Sequence, residues 1–258
     1  MTNPSSPVGV RTVAGGNPVI GGLAGTHKSW WECDSGIAYI VGRRSNDTAK
    51  GWGPGNHMFI MYLGDPDHPL ATDFLRDWAL DGQQPGGVIP PNFNAIPSIH
   101  GPISTGPSTP LAGNSPNPIA GTGATLDRVY AAYGTGDNGV MQVADRSKLL
   151  PPPWGTGVRC GSPADTTAGP QSCASPPTSY TAFEIGRWVM NPINGSHTSY
   201  PLGKIAIPEF AENEEGTVRD FVAVTSEETS NQCGGPRHLT YFVDVTEFTI
   251  TRTGATVS

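Results

Sequence analysis

Apolar residues along this chain mostly alternate with polar ones or come in short runs, and both patterns point to strands. The clearest alternation lies between His238 and Arg252, where Leu239, Tyr241, Val243 and Val245 interleave with Thr240, Phe242, Asp244 and Thr246. Side chains of a strand point to opposite faces in turn, so this pattern is a strand with one buried face. The apolar phase then moves to Phe248 and Ile250, as a β-bulge would move it. His57 to Leu63 is nearly continuous apolar sequence of strand length, which suits a strand covered on both faces. Gly36 to Val41, Tyr180 to Met190, Leu202 to Ile207 and Arg219 to Thr225 are further strand candidates.

Two segments have rival patterns. Arg128–Tyr133 and Val140–Ala144 flank Asn138-Gly139, a strong turn signal, and are expected to pair as a hairpin. Leu126, Val129, Tyr130 and Tyr133 also fit one face of a short helix. Pro69, then Leu70, Phe74 and Trp78 at four-residue spacing, then Gly82, predict a helix over Pro69–Leu80.

Composition narrows the class. Charged residues make up 14% of the chain, and Gly (34) and Pro (26) are abundant. Low charge disfavours a helical bundle, whose solvent faces need charge. The expectation is a mainly β protein: an antiparallel β-sandwich or jelly-roll-like barrel with one short helix and long Pro/Gly-rich ordered loops. Residues 1–258 read as a single β-rich domain. Residues 1–26 read as an extended N-terminal arm or edge strand. From Gly82 to Leu126 there is no Asp, Glu, Lys or Arg. That stretch carries spaced apolar residues, including Ile89, Phe93, Ile96, Ile103 and Ile119, among many prolines and glycines. It reads as an arm or loop whose anchors bury against the β-sandwich or a neighbouring subunit, with little room for regular strand.

The net charge is −7 at pH 7, and no basic stripe or arm is present, so direct nucleic-acid binding is not expected. No apolar run has the roughly 20 residues needed to span a bilayer, and Met1 to Pro4 does not open a secretory signal. Neither membrane partner nor cofactor is expected.

The candidate chemistry is sparse. Cys33, Cys160, Cys173 and Cys233 form no CxxC pair, which argues against a zinc ribbon. Disulfides 160–173 and 33–233 are the favoured pairing if the thiols are oxidised; four buried thiols are the alternative. Asp65, Asp67 and His68, with His57 upstream, are weak metal candidates; acids preceding a helix also serve its dipole. Glu209, Glu212, Glu214, Glu215 and Asp220 lack calcium-loop spacing and read as a solvated hairpin tip. The six histidines are scattered, with no HExxH and no GxSxG elbow, so no catalytic set is expected. Asn46 and Asn194 match the glycosylation pattern.

Trp30, Trp31, Trp52 and Trp154 fall in expected loops. Loop tryptophans fill local cores, anchor interfaces or stack on sugars. Together these features suggest a non-enzymatic structural subunit of a larger assembly on a virion or extracellular surface: a coat, decoration or tail component, or another self-assembling surface protein. Its partners would be further copies of itself or other assembly subunits. The alternative is an extracellular, lectin-like or receptor-binding module whose tryptophans meet a glycan.

Overall fold

The computed structural model describes residues 23–32, 35–44, 47–48, 51–63, 74–80, 82–85, 87, 97–106, 128–134, 139–156, 183–190, 194–207, 218–227, 239–246, 249–251 and 254–256. The chain is mainly β, and all strand pairing between its named strands is antiparallel. The first sheet holds β1 (Leu23–Glu32), β2 (Ile37–Arg44), β3 (His57–Tyr62) and β4 (Phe74–Trp78), in that order. The second holds β5 (Ser104–Gly106), β6 (Arg128–Tyr133), β7 (Val140–Asp145) and β8 (Glu184–Val189). The third holds β9 (Ser196–Ala206), β10 (Val218–Ser226) and β11 (Thr240–Asp244). A small ribbon pairs β12 (Thr249–Thr251) with β13 (Gly254–Thr256). Neighbours in every sheet are consecutive in the chain.

Two cores lie on opposite faces of the second sheet. One joins it to the first sheet: Ile37, Tyr39, Met58, Ile60, Leu75 and Trp78 meet Ile103, Val129, Ala131, Tyr133 and Val140. The other joins it to the third sheet: Tyr130, Met141 and Val143 meet Val222, Val224, Val243 and Val245. The alternation of β7 explains this. Val140 and Ala144 enter the first core, and Met141 and Val143 enter the second. Each fully buried large apolar side chain contributes roughly 1.5–3 kcal/mol, so both faces of this sheet hold the layers together.

Buried polar groups join the same layers. Glu32 on β1 accepts a forked pair of bonds from Arg146, Nε at 2.9 Å and Nη2 at 2.6 Å. Arg146 begins the one helix among the described residues, α1 (Arg146–Leu149), capped by the Asp145 side chain accepting from the Ser147 amide. Tyr39 Oη donates to the same Glu32 carboxylate at 2.9 Å. Burial, then the Glu32 charge, push the Tyr39 hydroxyl well above its ordinary pKa, which keeps it a donor. On the other side, Arg128 of β6 reaches Asp220 of β10 at 3.3 Å and the Val245 carbonyl at 3.2 Å.

The strands expected at residues 36–41, 57–63, 128–133, 140–144, 180–190, 202–207 and 219–225 are present as β2, β3, β6, β7, β8, β9 and β10, with shifted ends. The hairpin reading of residues 128–144 holds over the helical one. The helix over Pro69–Leu80 does not form across its described part: Phe74–Trp78 is β4. A register shift opposite Ile60 and Met61 leaves Leu75 as an extra residue. Phe74 therefore turns to the outer face, against Phe59 and Met61, while Trp78 enters the first core. Their four-residue spacing serves two faces of a bulged strand rather than one face of a helix. The short helix lies instead at Arg146–Leu149.

The phase change after Val245 is the end of β11, not a bulge within one strand: Asp244 accepts from the Thr246 amide and hydroxyl, and the next strand begins at Thr249. Residues 104–106 of the uncharged stretch form β5, and Ile99 bridges to Tyr133. Ile103 is fully buried in the first core. Ile89, Phe93, Ile96 and Ile119 lie outside the described residues, as do residues 1–22. Residues 23–26 belong to β1, an edge strand.

Asp244 also gives the third sheet an acid limit. Burial acts to raise its pKa, but hydrogen bonds from Thr246 and a 2.7 Å bond from Arg219 outweigh burial and hold it below the usual value of 3.8. A depressed carboxylate stabilises the fold above its unfolded pKa and stops doing so as pH falls through its folded pKa. Melting temperature measured through the acid range is therefore expected to fall more steeply for the native chain than for Asp244→Asn. Parallel curves would show that Asp244 does not set that limb.

Candidate functional site

Three of the six histidines converge where the three sheets meet. His27 and Lys28 lie on β1, His100 precedes β5, His197 is the second residue of β9, and Glu227 follows β10. The main chain places each of the last three. The His100 amide donates to the Ala132 carbonyl at 3.0 Å, and the Glu227 amide to the Gly195 carbonyl at 2.9 Å. Next to His100, Gly101 lies so close to β9 that a Cβ there would overlap the His197 carbonyl oxygen. Glycine lets the two backbones approach, and the approach brings the two imidazoles together.

Glu227 Oε2 sits 2.9 Å from His100 Nε2 and 3.4 Å from His197 Nε2. His197 Nδ1 is 2.8 Å from Thr198 Oγ1, and Lys28 Nζ touches His197 Nε2. The His100 ring is 5.0 Å from that of His197 and 4.8 Å from that of His27. All are partly open to solvent. Burial, then the Lys28 charge, push the His197 pKa down, Glu227 opposing. Burial also lowers His100, against the pull of Glu227, with His197 and Lys28 adding to the decrease. Both rings therefore favour the neutral form near neutral pH. Among the described residues, His100, His197 and Glu227 form one group able to share a metal ion, each offering a ligand atom within 4.8 Å of the others.

A second polar group lies on the outer face of the first sheet. His57 is fully buried, with Nε2 at 3.6 Å from Asp47 and 4.0 Å from Asp77. Trp52 stacks on its ring at 4.2 Å and 11°. Burial and stacking make this a local core rather than an open site.

The expected tryptophan sites separate. Trp30 and Trp31 are on β1, not in a loop. Trp30 faces the first core and donates from Nε1 to Thr105 at 2.9 Å. Trp31, the next residue, faces outward and is 48% exposed. Trp52 is buried against His57, and Trp154 packs on Tyr62 at 4.6 Å. The four are thus split between core packing and one exposed ring. Asp220, expected at a solvated tip, is buried as the partner of Arg128. Asn194 is buried beside Ser226. Cys33, Cys160, Cys173, Cys233, Asp65, Asp67 and His68 lie outside the described residues.

The other exposed feature is apolar. Tyr200, Ala223 and Phe242 are cross-strand neighbours on the outer face of the third sheet. Phe242 is 68% exposed, Leu239 just before β11 is 51% exposed, and Tyr200 and Ile205 are also open. Strand β11 is one edge of that sheet, β9 the other. The alternation of β11 marks one buried face and leaves Phe242 among the polar positions of the other. Its place on the polar phase of that alternation was the available signal.

No family model, curated protein or solved structure matches this chain. No helix among the described residues is long and apolar enough to cross a membrane.

Proposed function

We propose that this chain is a non-enzymatic structural subunit that associates with further copies of itself, as a coat, decoration or tail component or another self-assembling layer on a virion or extracellular surface. The observation that supports it is the outer face of the third sheet. Among the described residues, four of the five exposed large hydrophobics, Tyr200, Ile205, Leu239 and Phe242, belong to this sheet or its immediate approach; Tyr200 and Phe242 share its outer face, and Leu239 lies on the opposite phase of the alternation, with Tyr241 and Val243. They belong to a sheet in which β11 is an edge strand. Exposed apolar patches beside open edges favour association of sheet with sheet. The layering favours the sandwich over the jelly-roll-like barrel, because each sheet is a meander of consecutive strands. Low charge and abundant Pro and Gly suit a subunit with long loops.

Mass photometry and light scattering over a concentration series test the association. The native chain is expected to form oligomers, and Phe242→Asp is expected to weaken them about tenfold or more, the effect of removing a central aromatic anchor. A native chain that stays at 27.0 kDa at high concentration overturns the proposal. The glycan-binding alternative draws on Trp31, the exposed ring of the four, and a glycan array with Trp31→Ala distinguishes it.

A further inference from the structure

We propose that His100, His197 and Glu227 form a binding site for a zinc-class divalent ion, one that ties the second and third sheets together at their common end. Two imidazole nitrogens and one carboxylate oxygen are a donor set for zinc and its neighbours rather than for calcium or magnesium, which take oxygen. Their spacing is close to what an ion needs. Ligand atoms about 2.0–2.1 Å from a tetrahedral ion lie about 3.3 Å from one another. Here the two contacts to Glu227 Oε2 are 2.9 and 3.4 Å, and all three donor atoms lie within 4.8 Å. Only the two nitrogens have to draw closer.

The tautomer of His197 and the placement of all three ligands are also suitable; His100 Nε2, 2.9 Å from the Glu227 carboxylate, gives up its proton as the ion binds. The Lys28 ammonium has hydrogens and no lone pair, so its contact with His197 Nε2 makes that nitrogen an acceptor. The ring proton then lies on Nδ1, where it donates to Thr198 Oγ1 at 2.8 Å. A ligating histidine is held in this way, with one nitrogen for the metal and the other fixed by a hydrogen bond. The His100 and Glu227 amides are anchored on Ala132 and Gly195, and the Gly101 contact holds His100 against β9. The ligands are therefore positioned by the fold before any ion arrives. The fourth position is left for water or for His27, whose exposed ring is beside His100.

Lys28 supplies the discriminating test. Its charge repels a cation and occupies the His197 lone pair, so an ion must displace it toward solvent on the exposed edge strand. Chelator-stripped protein would be titrated with zinc chloride by calorimetry, with bound zinc measured by elemental analysis and folding checked by circular dichroism. The native chain is expected to bind a single ion. Glu227→Gln and His197→Ala are expected to weaken binding at least about tenfold, and Lys28→Met to strengthen it. The Lys28→Met gain reads the site even where a ligand variant folds poorly. Absence of stoichiometric zinc in the native chain overturns the proposal. So does an affinity that none of the three substitutions moves, which would locate the ion elsewhere.

Discussion

Glu32→Ala is expected to lower the unfolding free energy by about 3–5 kcal/mol, the usual loss when one partner of a buried ion pair is removed. Glu32 and Arg146 are both buried. Burial alone would favour the neutral guanidine, yet the bonds to Glu32 hold Arg146 more firmly protonated than usual. Alanine at residue 32 leaves that buried cation without a counter-charge, with only the Trp154 carbonyl still accepting from it at 3.3 Å, and Tyr39 loses its acceptor. The same substitution breaks the charge link between two elements: β1 at the edge of one sheet and α1 at the end of another. Urea denaturation measures the loss. The double substitution Glu32→Met with Arg146→Met is expected to recover much of it, since apolar replacement of both partners removes the unpaired charge. A single-mutant loss below about 1 kcal/mol would mean that the pair behaves as a solvated one.

Gln142→Leu is expected to cost about 3 kcal/mol or more, from several polar groups at about 1–3 kcal/mol each. The Gln142 carbonyl accepts from Tyr133 Oη at 2.7 Å and from Trp78 Nε1 at 3.3 Å. Its amide donates to Glu184 at 2.6 Å, and Glu184 in turn holds Arg187 through bonds of 2.6 and 2.8 Å. One side chain therefore links β4, β6, β7 and β8. Leucine has similar volume and none of these bonds, so the loss would be one of polar satisfaction rather than packing. Tyr133→Phe removes a single bond and is expected to cost about 1 kcal/mol. Chemical denaturation of the two variants gives the comparison. A Gln142→Leu chain as stable as Tyr133→Phe would show that the hub is not cooperative.

Much of the strand content was legible because a sheet with unlike faces writes its period into the sequence. Residues 239–245 show this most plainly. The second sheet was harder to read as the middle layer. Val140 to Ala144 is apolar on both faces except Gln142, and a doubly covered strand carries no alternation to reveal its partners. Phe74 and Trp78 were misread because a bulge made a two-faced strand imitate a helical stripe. The histidine cluster left no local trace: Lys28 and His197 are 169 residues apart in sequence, and the packing of Gly101 against β9, with the His100 amide held by Ala132, brings His100 to them. A glycine beside a histidine is too common to signal that.

The two-sided burial of β7 also limits how this protein can vary. Its odd and even positions answer to different cores. Adding or deleting one residue would send Met141 and Val143 toward the first core and the amide of Gln142 toward the second, so both would fail together. Substitutions can be absorbed one face at a time, but a change of length cannot. Over generations this strand can change its letters while keeping its count, and variation in length must be sought in the connections between sheets.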